Sequence, residues 1–379
     1  MNILFEVRHP AHVHHFNPLI KSAMSCGDQV LVMATEKEIT TELLREYEIP
    51  FRLYGENKKG VFNKVVEILK QDVKMLRVLQ KFKPDVVVGR PSHPLVFASW
   101  LLNIPSLIFA EDDVNTVFFN ALVAHPFASV IVAPSSTNLW RFSNRKLSYH
   151  GSQKLAYIRP CEESAVRAVR EKYGMLKPYI ILRISSLSAS HDRMALGFNE
   201  QIIDGLITRL EPKFEVYISS EKPLGERFKS RLIKVLNKDI HALMTGAQMF
   251  ISDSQSMTIE AAYLGVPNIR FSSFVGKINA FKELEQTGIS YGIHPDQGES
   301  ELYRKVFTII SDLDRTDFKK RRDEVLETKT DITKMSVNLL SEIRLRENKK
   351  RYLIELRGND QLHQKFRFTI NDVDSRMPR

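Results

Sequence analysis

From residue 3 onward, short apolar runs bounded by Gly, Pro and Asp alternate with longer stretches of helical periodicity. The runs at 3–7, 29–34, 85–89, 106–109 and 130–133 are too short for helices and rich in Val, Ile, Leu and Phe. Between them, 16–25, 39–47, 62–82 and 94–102 space their apolar residues as one face of a helix does. A strand buried on both faces reads as an unbroken apolar run, and a parallel neighbour needs a long crossover. This alternation therefore restricts the chain to a parallel sheet with helices on both sides. Lys83-Pro84 and Ile104-Pro105 each stop a helix just ahead of a strand, because the residue before proline disfavours helical backbone.

The rhythm breaks around 151–160 and then resumes. Strands are expected at 179–183, 215–219, 248–252 and 268–271, and helices near 162–173, 197–210, 224–236 and 257–264. A length of 379 residues suits two domains better than one. The expected division is 1–155 and 156–330, with a linker near 150–162. Residues 302–347 read as charged helix, and 331–348 is expected to pack back across the junction. Residues 349–379 mix acidic and basic residues and receive no assigned structure. Ligands of doubly wound sheets sit beyond the carboxyl ends of the strands, so the expected site is a cleft between the domains.

Composition narrows the class. A hydrophobic content of 43% with only 16 Gly and 16 Pro describes a globular chain with ample core, not a disordered one. Cys26 and Cys161 lie far apart without metal-type spacing, which fits a reducing compartment and no disulfide framework. The opening MNILFEV enters a strand directly, and no long uncharged apolar run follows anywhere. Neither a secretory leader nor a membrane span is therefore expected. The expected location is the cytoplasm, with a peripheral position at the inner face of the membrane open to it. A net charge of +10 suits phosphorylated substrates or anionic lipid. Nucleic acid is excluded as a partner, because no RNP-like aromatic motif, zinc finger or dense basic run accompanies the charge.

The segment ISDSQSMTIEAAYLGVP, at 251–267, carries the most chemistry. A strand end, a small polar turn and a helix start present backbone N–H groups and a helix dipole to an anion. Glu260 lies one turn into that helix and can reach a sugar hydroxyl beside the phosphate. An ordinary capped strand-to-helix turn is the competing reading. Arg183 and Ser185, where the first strand of the second domain ends, suit anion recognition too, with His191 a weaker candidate in the same loop. In the first domain Arg8 follows the opening strand, and His9, His12, His14 and His15 crowd the loop after it. Imidazole suits general-base work because its ordinary pKa lies near neutrality. A metal site is disfavoured, since no Cys, Asp or Glu joins these histidines at ligand spacing. Glu111-Asp112-Asp113 follows the run 106–110 and offers acid/base groups or a helix cap.

Four segments, ILFEVRHPAHVHHFNPLI, KFKPDVVVGRPSHP, YHGSQKLAYIRP and SDSQSMTIEAAYLGVP, closely resemble a known family in the same order. It is domain of unknown function 354, an archaeal and bacterial group expected to have the GT-B fold. The resemblance covers roughly residues 1–340 and implies two Rossmann-like domains facing across a nucleotide-sugar cleft. Asp253-Ser254-Gln255-Ser256 followed by Glu260-Ala261 is also similar to the Asp-Ser-Gly-Gly…Glu-Ala segment of UDP-N-acetylglucosamine 2-epimerases. That likeness implies that Ser254, Gln255 and Ser256 hold a diphosphate and Glu260 a ribose. Gln255 and Ser256 stand where those enzymes have glycines, which narrows a pyrophosphate's approach to the backbone. His15-Phe16-Asn17-Pro18-Leu19-Ile20 resembles the His-x-Asn-Pro-Leu-Leu segment of inverting GT-B glycosyltransferases, whose histidine takes the acceptor's proton. His12-Val13 resembles part of the Gly-His-Val of the lipid-II-forming N-acetylglucosaminyltransferase.

The epimerases' aspartate after the 86–89 strand is replaced here by Arg90-Pro91-Ser92-His93, and their glutamate pair before Asn-Arg by Val117-Phe118-Phe119-Asn120-Ala121. Proton transfer at a sugar C2 needs acids beside the ring, so the expected activity is glycosyl transfer. The donor would be a nucleotide-diphosphate sugar, most readily a UDP-sugar, and the acceptor a glycan or lipid-linked envelope or polysaccharide precursor. No metal or other cofactor is expected. His12, His15 and Glu111 would do the chemistry, and Arg8, His14, Arg183, Ser185, Ser254, Gln255, Ser256 and Glu260 would bind substrate. The alternatives are a nucleotide-sugar epimerase of the 2-epimerase type and a non-catalytic nucleotide-sugar-binding protein.

Overall fold

A computed structural model describes residues 1–36, 38–56, 61–186, 196–312, 315–359, 363–366 and 368–370. Its internal contacts divide the chain into two compact units, Met1–Tyr157 with Lys329–Arg379, and Ile158–Thr328.

The first unit holds seven strands: β1 (Asn2–Val7), β2 (Gln29–Glu36), β3 (Phe51–Glu56), β4 (Val86–Gly89), β5 (Ser106–Phe109), β6 (Val130–Pro134) and β7 (Lys146–Tyr149). All pair in parallel, in the order β3-β2-β1-β4-β5-β6-β7. In the centre Ile3 lies opposite Val30 on one side and Val86 on the other. The connecting helices are α1 (Pro10–Ser25), α2 (Glu38–Glu46), α3 (Val61–Phe82), α4 (His93–Leu101) and α5 (Phe118–Ala124). From β1 the chain steps outward to β3 and then returns to β4 on the far side of β1. Right-handed crossovers therefore place α1 and α2 on one face and α3 to α5 on the other. Strand side chains such as Leu4, Val87, Ile108 and Ile131 pack with Leu79, Leu95 and Val96 of those helices. Two of the strands, β3 and β7, escape the apolar-run criterion. They are the sheet's edges, and β7 buries only alternate residues, so neither carries a continuous apolar stretch.

The second unit contains α6 (Glu163–Lys172), β8 (Tyr179–Ile184), α7 (Glu200–Leu210), β9 (Glu215–Ser220), α8 (Ile240–Gly246), β10 (Met249–Ser252) and α9 (Gln255–Tyr263). It continues with β11 (Asn268–Phe271), α10 (Asn279–Gln286), β12 (Tyr291–Ile293), α11 (Glu299–Asp312) and α12 (Arg315–Glu327). Its five parallel strands run β12-β11-β10-β8-β9. The helix expected over 224–236 does not form. A 3-10 turn at Glu226–Arg231 leads into an extended segment in which the Ile233 N–H donates to the Ile218 carbonyl at 2.9 Å. Burial alternates there with a period of two, Ile233 and Val235 half-buried between exposed Leu232, Lys234 and Leu236. An unpaired edge at β9 offers hydrogen bonds to an extended chain, and those outweigh local helix preference.

Two helices then return to the first unit, α13 (Ile332–Arg344) and α14 (Lys349–Glu355). α13 packs on α1, and Arg344 donates to Asp28 at 3.2 Å while the N-terminal amine holds the same carboxylate at 3.0 Å. Past α14, the Gly358 N–H reaches the Lys146 carbonyl (3.2 Å) and the Arg357 side chain reaches the Ser129 carbonyl (2.5 Å). The end of the chain thus covers the exposed edge of β7, the kind of edge that otherwise invites aggregation. Among the described residues no helix is long and apolar enough to cross a membrane.

Candidate functional site

In each sheet the strand order reverses once, and the carboxyl ends flanking that reversal form a crevice suited to ligands. In the first unit the reversal lies between β1 and β4. A pocket of about 370 Å³ opens there, lined by Arg8, His12, Arg90, Ser92, His93, Glu111, Asp112, Asn120 and His125 among others. Ile68 and Val123 supply half-open apolar walls.

Its floor is a polar network beginning one strand residue inside. Glu6 is 1% exposed. One carboxyl oxygen accepts from the Tyr54 hydroxyl and from the Ser92 hydroxyl (2.9 Å), and the other has no partner among the described residues. Burial pushes the Glu6 carboxyl above its ordinary range, opposed by Arg8 and the two hydroxyls. Arg8 donates to Ser92 at 2.9 Å and to Gln71 at 3.3 Å, which orients its guanidinium at the pocket. Gly89 makes room for this packing: a Cβ there would stand 2.5 Å from Leu95 and 3.3 Å from Glu6. Arg90 lies across the pocket with Asp112 4.0 Å away, and Asp112 is 62% exposed. His93 pairs with Asp72 at 3.1 Å and stacks on Phe97.

The histidine cluster is not a loop. Helix α1 begins at Pro10, with the His9 ring accepting from the Ala11 N–H at 3.2 Å. Proline at the first helical position has no N–H to leave unsatisfied and a preset φ, so the helix starts earlier than the apolar periodicity suggests. This separates the histidines by helical geometry. His12 lines the pocket. Its Nδ1 accepts from the Arg8 backbone N–H at 3.2 Å, so the neutral ring carries its proton on Nε2 and acts as a donor. Burial, reinforced by Arg90, holds the His12 pKa well below the ordinary value. His15 is 6% exposed, stacked on Phe16 and edge-on to Phe109, with its pKa lowered to about 3 by burial. It lies outside the pocket lining. His14 faces another way, 2.8 Å from the Tyr47 hydroxyl and beside the Tyr157 ring.

Glu111 lines the pocket but is fully engaged. It accepts from the Ser152 hydroxyl, the Gln153 N–H (3.1 Å) and Lys154 (3.1 Å), and against burial the charges of Lys154 and Arg90 with the Ser152 hydroxyl bring its pKa to about 2. Such a carboxylate is a poor proton carrier near neutrality. It anchors the turn Gln153–Ala156 to the end of β5. Asp112 is the carboxylate that faces the pocket with its oxygens open to solvent.

In the second unit the reversal lies between β8 and β10, and the expected ligands are arranged differently. Asp253 accepts from the Ser185 N–H (2.7 Å), the Ser185 hydroxyl (2.9 Å) and the Phe198 N–H (3.3 Å). Arg183 donates to Ser219 at 2.7 Å and to Glu221. Ser185 and Arg183 therefore tie strand ends together, the Arg183–Glu221 pair standing at the surface. His191 lies outside the described residues. The Ser254 hydroxyl caps α9 by accepting from the Met257 N–H, and the Ser254 N–H is taken by Ser252 (2.8 Å). The Gln255 side chain folds back to Arg270 and to Ser272 (3.0 Å). Among the described residues, the Gln255 and Ser256 N–H groups and the exposed Ser256 hydroxyl have no acceptor or donor within the chain. Glu260 is 9% exposed with one oxygen 3.3 Å from His241 Nε2. Gly265 ends the helix at φ +73°, with Gly265 and Val266 N–H groups closing on Ala262 and Ala261.

The first unit thus brings Arg8, His12 and Glu111 to one pocket and leaves His14 and His15 outside it. In the second, the Ser256 hydroxyl stays exposed, Glu260 is buried beside His241, and Arg183, Ser185 and Gln255 are engaged by neighbouring side chains. Arg90, Ser92, His93 and Glu6 escaped selection as site residues, as did Arg270 and His241. Glu6 and Arg270 were visible as charges inside the apolar runs ILFEV and NIRF. Among the described residues, no three His, Cys, Asp or Glu side chains group so as to hold a metal ion.

Comparisons place this architecture. A protein of Methanocaldococcus jannaschii named as uncharacterized (MJ0665) is 21% identical over 71% of this chain and 81% of its own. A UDP-N-acetylglucosamine–N-acetylmuramyl-(pentapeptide) pyrophosphoryl-undecaprenol N-acetylglucosamine transferase of Listeria welshimeri is 23% identical over 65% of this chain and 70% of its own. The crystal structure of UDP-GlcNAc 2-epimerase from Neisseria meningitidis superposes with a TM-score of 0.64 at 14% identity, covering 94% of this chain and 99% of that one. At that identity the likeness shows the fold, two parallel-sheet α/β domains of the GT-B type. The sequence profile of one family matches residues 1–281, and the chain belongs to that family, described as "Protein of unknown function (DUF354)".

Proposed function

We propose that the chain is a glycosyltransferase that moves a sugar from a nucleotide diphosphate to an envelope or polysaccharide acceptor. The observation that carries this reading is the start of α9. Two unengaged N–H groups, an exposed hydroxyl and a helix N-terminus meet at the strand-order reversal, with Glu260 one turn further on. These groups suit a diphosphate and an adjacent ribose, and the transferase and epimerase among the relatives are both named for UDP-GlcNAc. In the reaction the acceptor hydroxyl attacks the anomeric carbon and the bond from that carbon to the diphosphate oxygen breaks. The electron pair leaves with the diphosphate, whose growing charge the α9 N–H groups stabilise. The proton passes to Asp112, while the Nε2–H of His12 and the guanidinium groups of Arg8 and Arg90 orient the acceptor.

Transfer is favoured over epimerisation by the state of Glu111. It is the one acid that could match a proton-transfer residue of the 2-epimerases, and Lys154, Arg90 and Ser152 hold it ionised with a pKa of about 2. A group so acidic cannot shuttle protons at a sugar C2 near pH 7. Incubation with UDP-N-acetylglucosamine and no acceptor separates the readings. An unchanged sugar agrees with transfer, and appearance of the C2 epimer refutes it. Melting-temperature shifts across a panel of nucleotide sugars identify the donor. Glu260→Ala is expected to remove the shift, and a shift that survives that substitution counts against the α9 site.

A further inference from the structure

We infer that Arg270 and Gln255 form a brace that positions the N-terminus of α9 for a diphosphate. The inference rests on the nucleotide-sugar reading and concerns the residues behind the site.

Arg270 lies on β11 and is fully buried, its guanidinium carbon 3.4 Å from the centre of the Phe281 ring. A buried guanidinium stacked on an aromatic face costs heavily unless its donors are paired. One end donates to Glu285 at 3.2 Å, and the other to the carbonyl oxygen of the Gln255 side chain. The amide nitrogen of Gln255 in turn donates to Ser272, itself fully buried, at 3.0 Å, and also approaches the Asp253 carbonyl at 3.4 Å. Both ends of the Gln255 amide are thereby engaged. Its side chain lies back over the end of β11, away from its own N–H.

This has two effects. A side chain at the first position of α9 would otherwise sweep the space in front of the Gln255 and Ser256 N–H groups, and the brace withdraws it. The same contacts tie α9 to β11 across the turn, so the two N–H groups are held before any ligand arrives. Preorganised donors bind an anion without the cost of ordering them. Gln255 and Arg270 are therefore positioning residues, and a glycine at 255 would leave the turn unbraced.

The test is calorimetric titration of the intact chain with UDP, with GDP and dTDP in parallel. The proteins are the natural chain, Gln255→Gly, Arg270→Met and the double variant. Each single substitution is expected to weaken the diphosphate by about tenfold, and the double to be no weaker than the worse single, as a coupled pair requires. Uridine binding, followed by ligand-observed NMR, should stay the same, which loss of fold would not allow. Should Arg270→Met fail to fold, Gln255→Met keeps the bulk and removes only the polar contacts, with the same tenfold loss expected. Equal or tighter UDP binding by Gln255→Gly, or additive losses in the double variant, overturns the brace alone. If the natural chain binds none of the three nucleotides, the nucleotide-sugar reading falls and the brace falls with it.

Discussion

The two units place their strand-order reversals at equivalent points and then dress them in opposite ways. At the first reversal, side chains point into an open pocket, with Arg8, His12, Arg90 and Asp112 on its walls and Glu6 beneath. At the second, the charged side chains are taken up by neighbours, Arg183 by Glu221, Asp253 by Ser185, Arg270 by Gln255 and Glu285. What remains unengaged there, among the described residues, is the Gln255 and Ser256 N–H groups and the exposed Ser256 hydroxyl. A side-chain site can adapt to varied chemistry, whereas a backbone site is stiff and suits an invariant group such as a diphosphate. The same topology therefore presents two different kinds of surface, depending on where the polar side chains turn.

That contrast can be broken by acid. His15 is buried and neutral, with its pKa lowered from 6.5 to about 3. An unfolded chain binds a proton at this residue between those values and the folded chain does not. Its contribution to stability is thus complete above about 6.5 and lost as pH falls towards 3. The natural chain should lose about 1.4 kcal/mol more per pH unit below 6.5 than His15→Leu, read from denaturant midpoints. Parallel slopes for the two proteins would refute the assignment. His125, lowered to about 4, adds to the same trend, while Glu6 and Asp72, both raised by burial, oppose it.

Function separates the units next. Arg90→Ala should lower transfer by about 100-fold with nucleotide binding unchanged, because it removes a donor of the first unit's pocket and leaves the α9 N–H groups in place. A matching loss of UDP affinity would mean that the two sites are not distinct in kind. Ser254→Ala removes a helix cap and should cost about 1 kcal/mol of stability, measured by thermal unfolding. The smallest effect sharpens the comparison most. Ser256→Ala should weaken UDP by no more than about threefold, since the N–H groups survive the substitution. A loss above tenfold would show that the second site, too, relies on side chains.

Much of the fold is legible in the amino-acid sequence. The central strands announce themselves as Val- and Ile-rich runs, because a strand buried on both faces has no polar alternative. Edge strands β3 and β7 did not, being half exposed, and the segment 232–236 became extended only because β9 offered it an open edge. The site was legible in part. The turn at 253–256 and Glu260 follow from residue order, as does the presence of histidines after β1. Which histidine faces the pocket does not, because that depends on the rotation of α1 and so on where Pro10 starts it.

Residue order alone determined that this chain makes parallel α/β units and that a Ser-rich turn leads from a strand into α9. The packed structure decided which of the charged residues remain available. A guanidinium or carboxylate satisfied by a neighbour 68 residues away, as Asp253 is by Ser185, looks identical in sequence to one facing solvent. Hydrogen-bond pairing is a property of positions in space, and only folding brings those partners together.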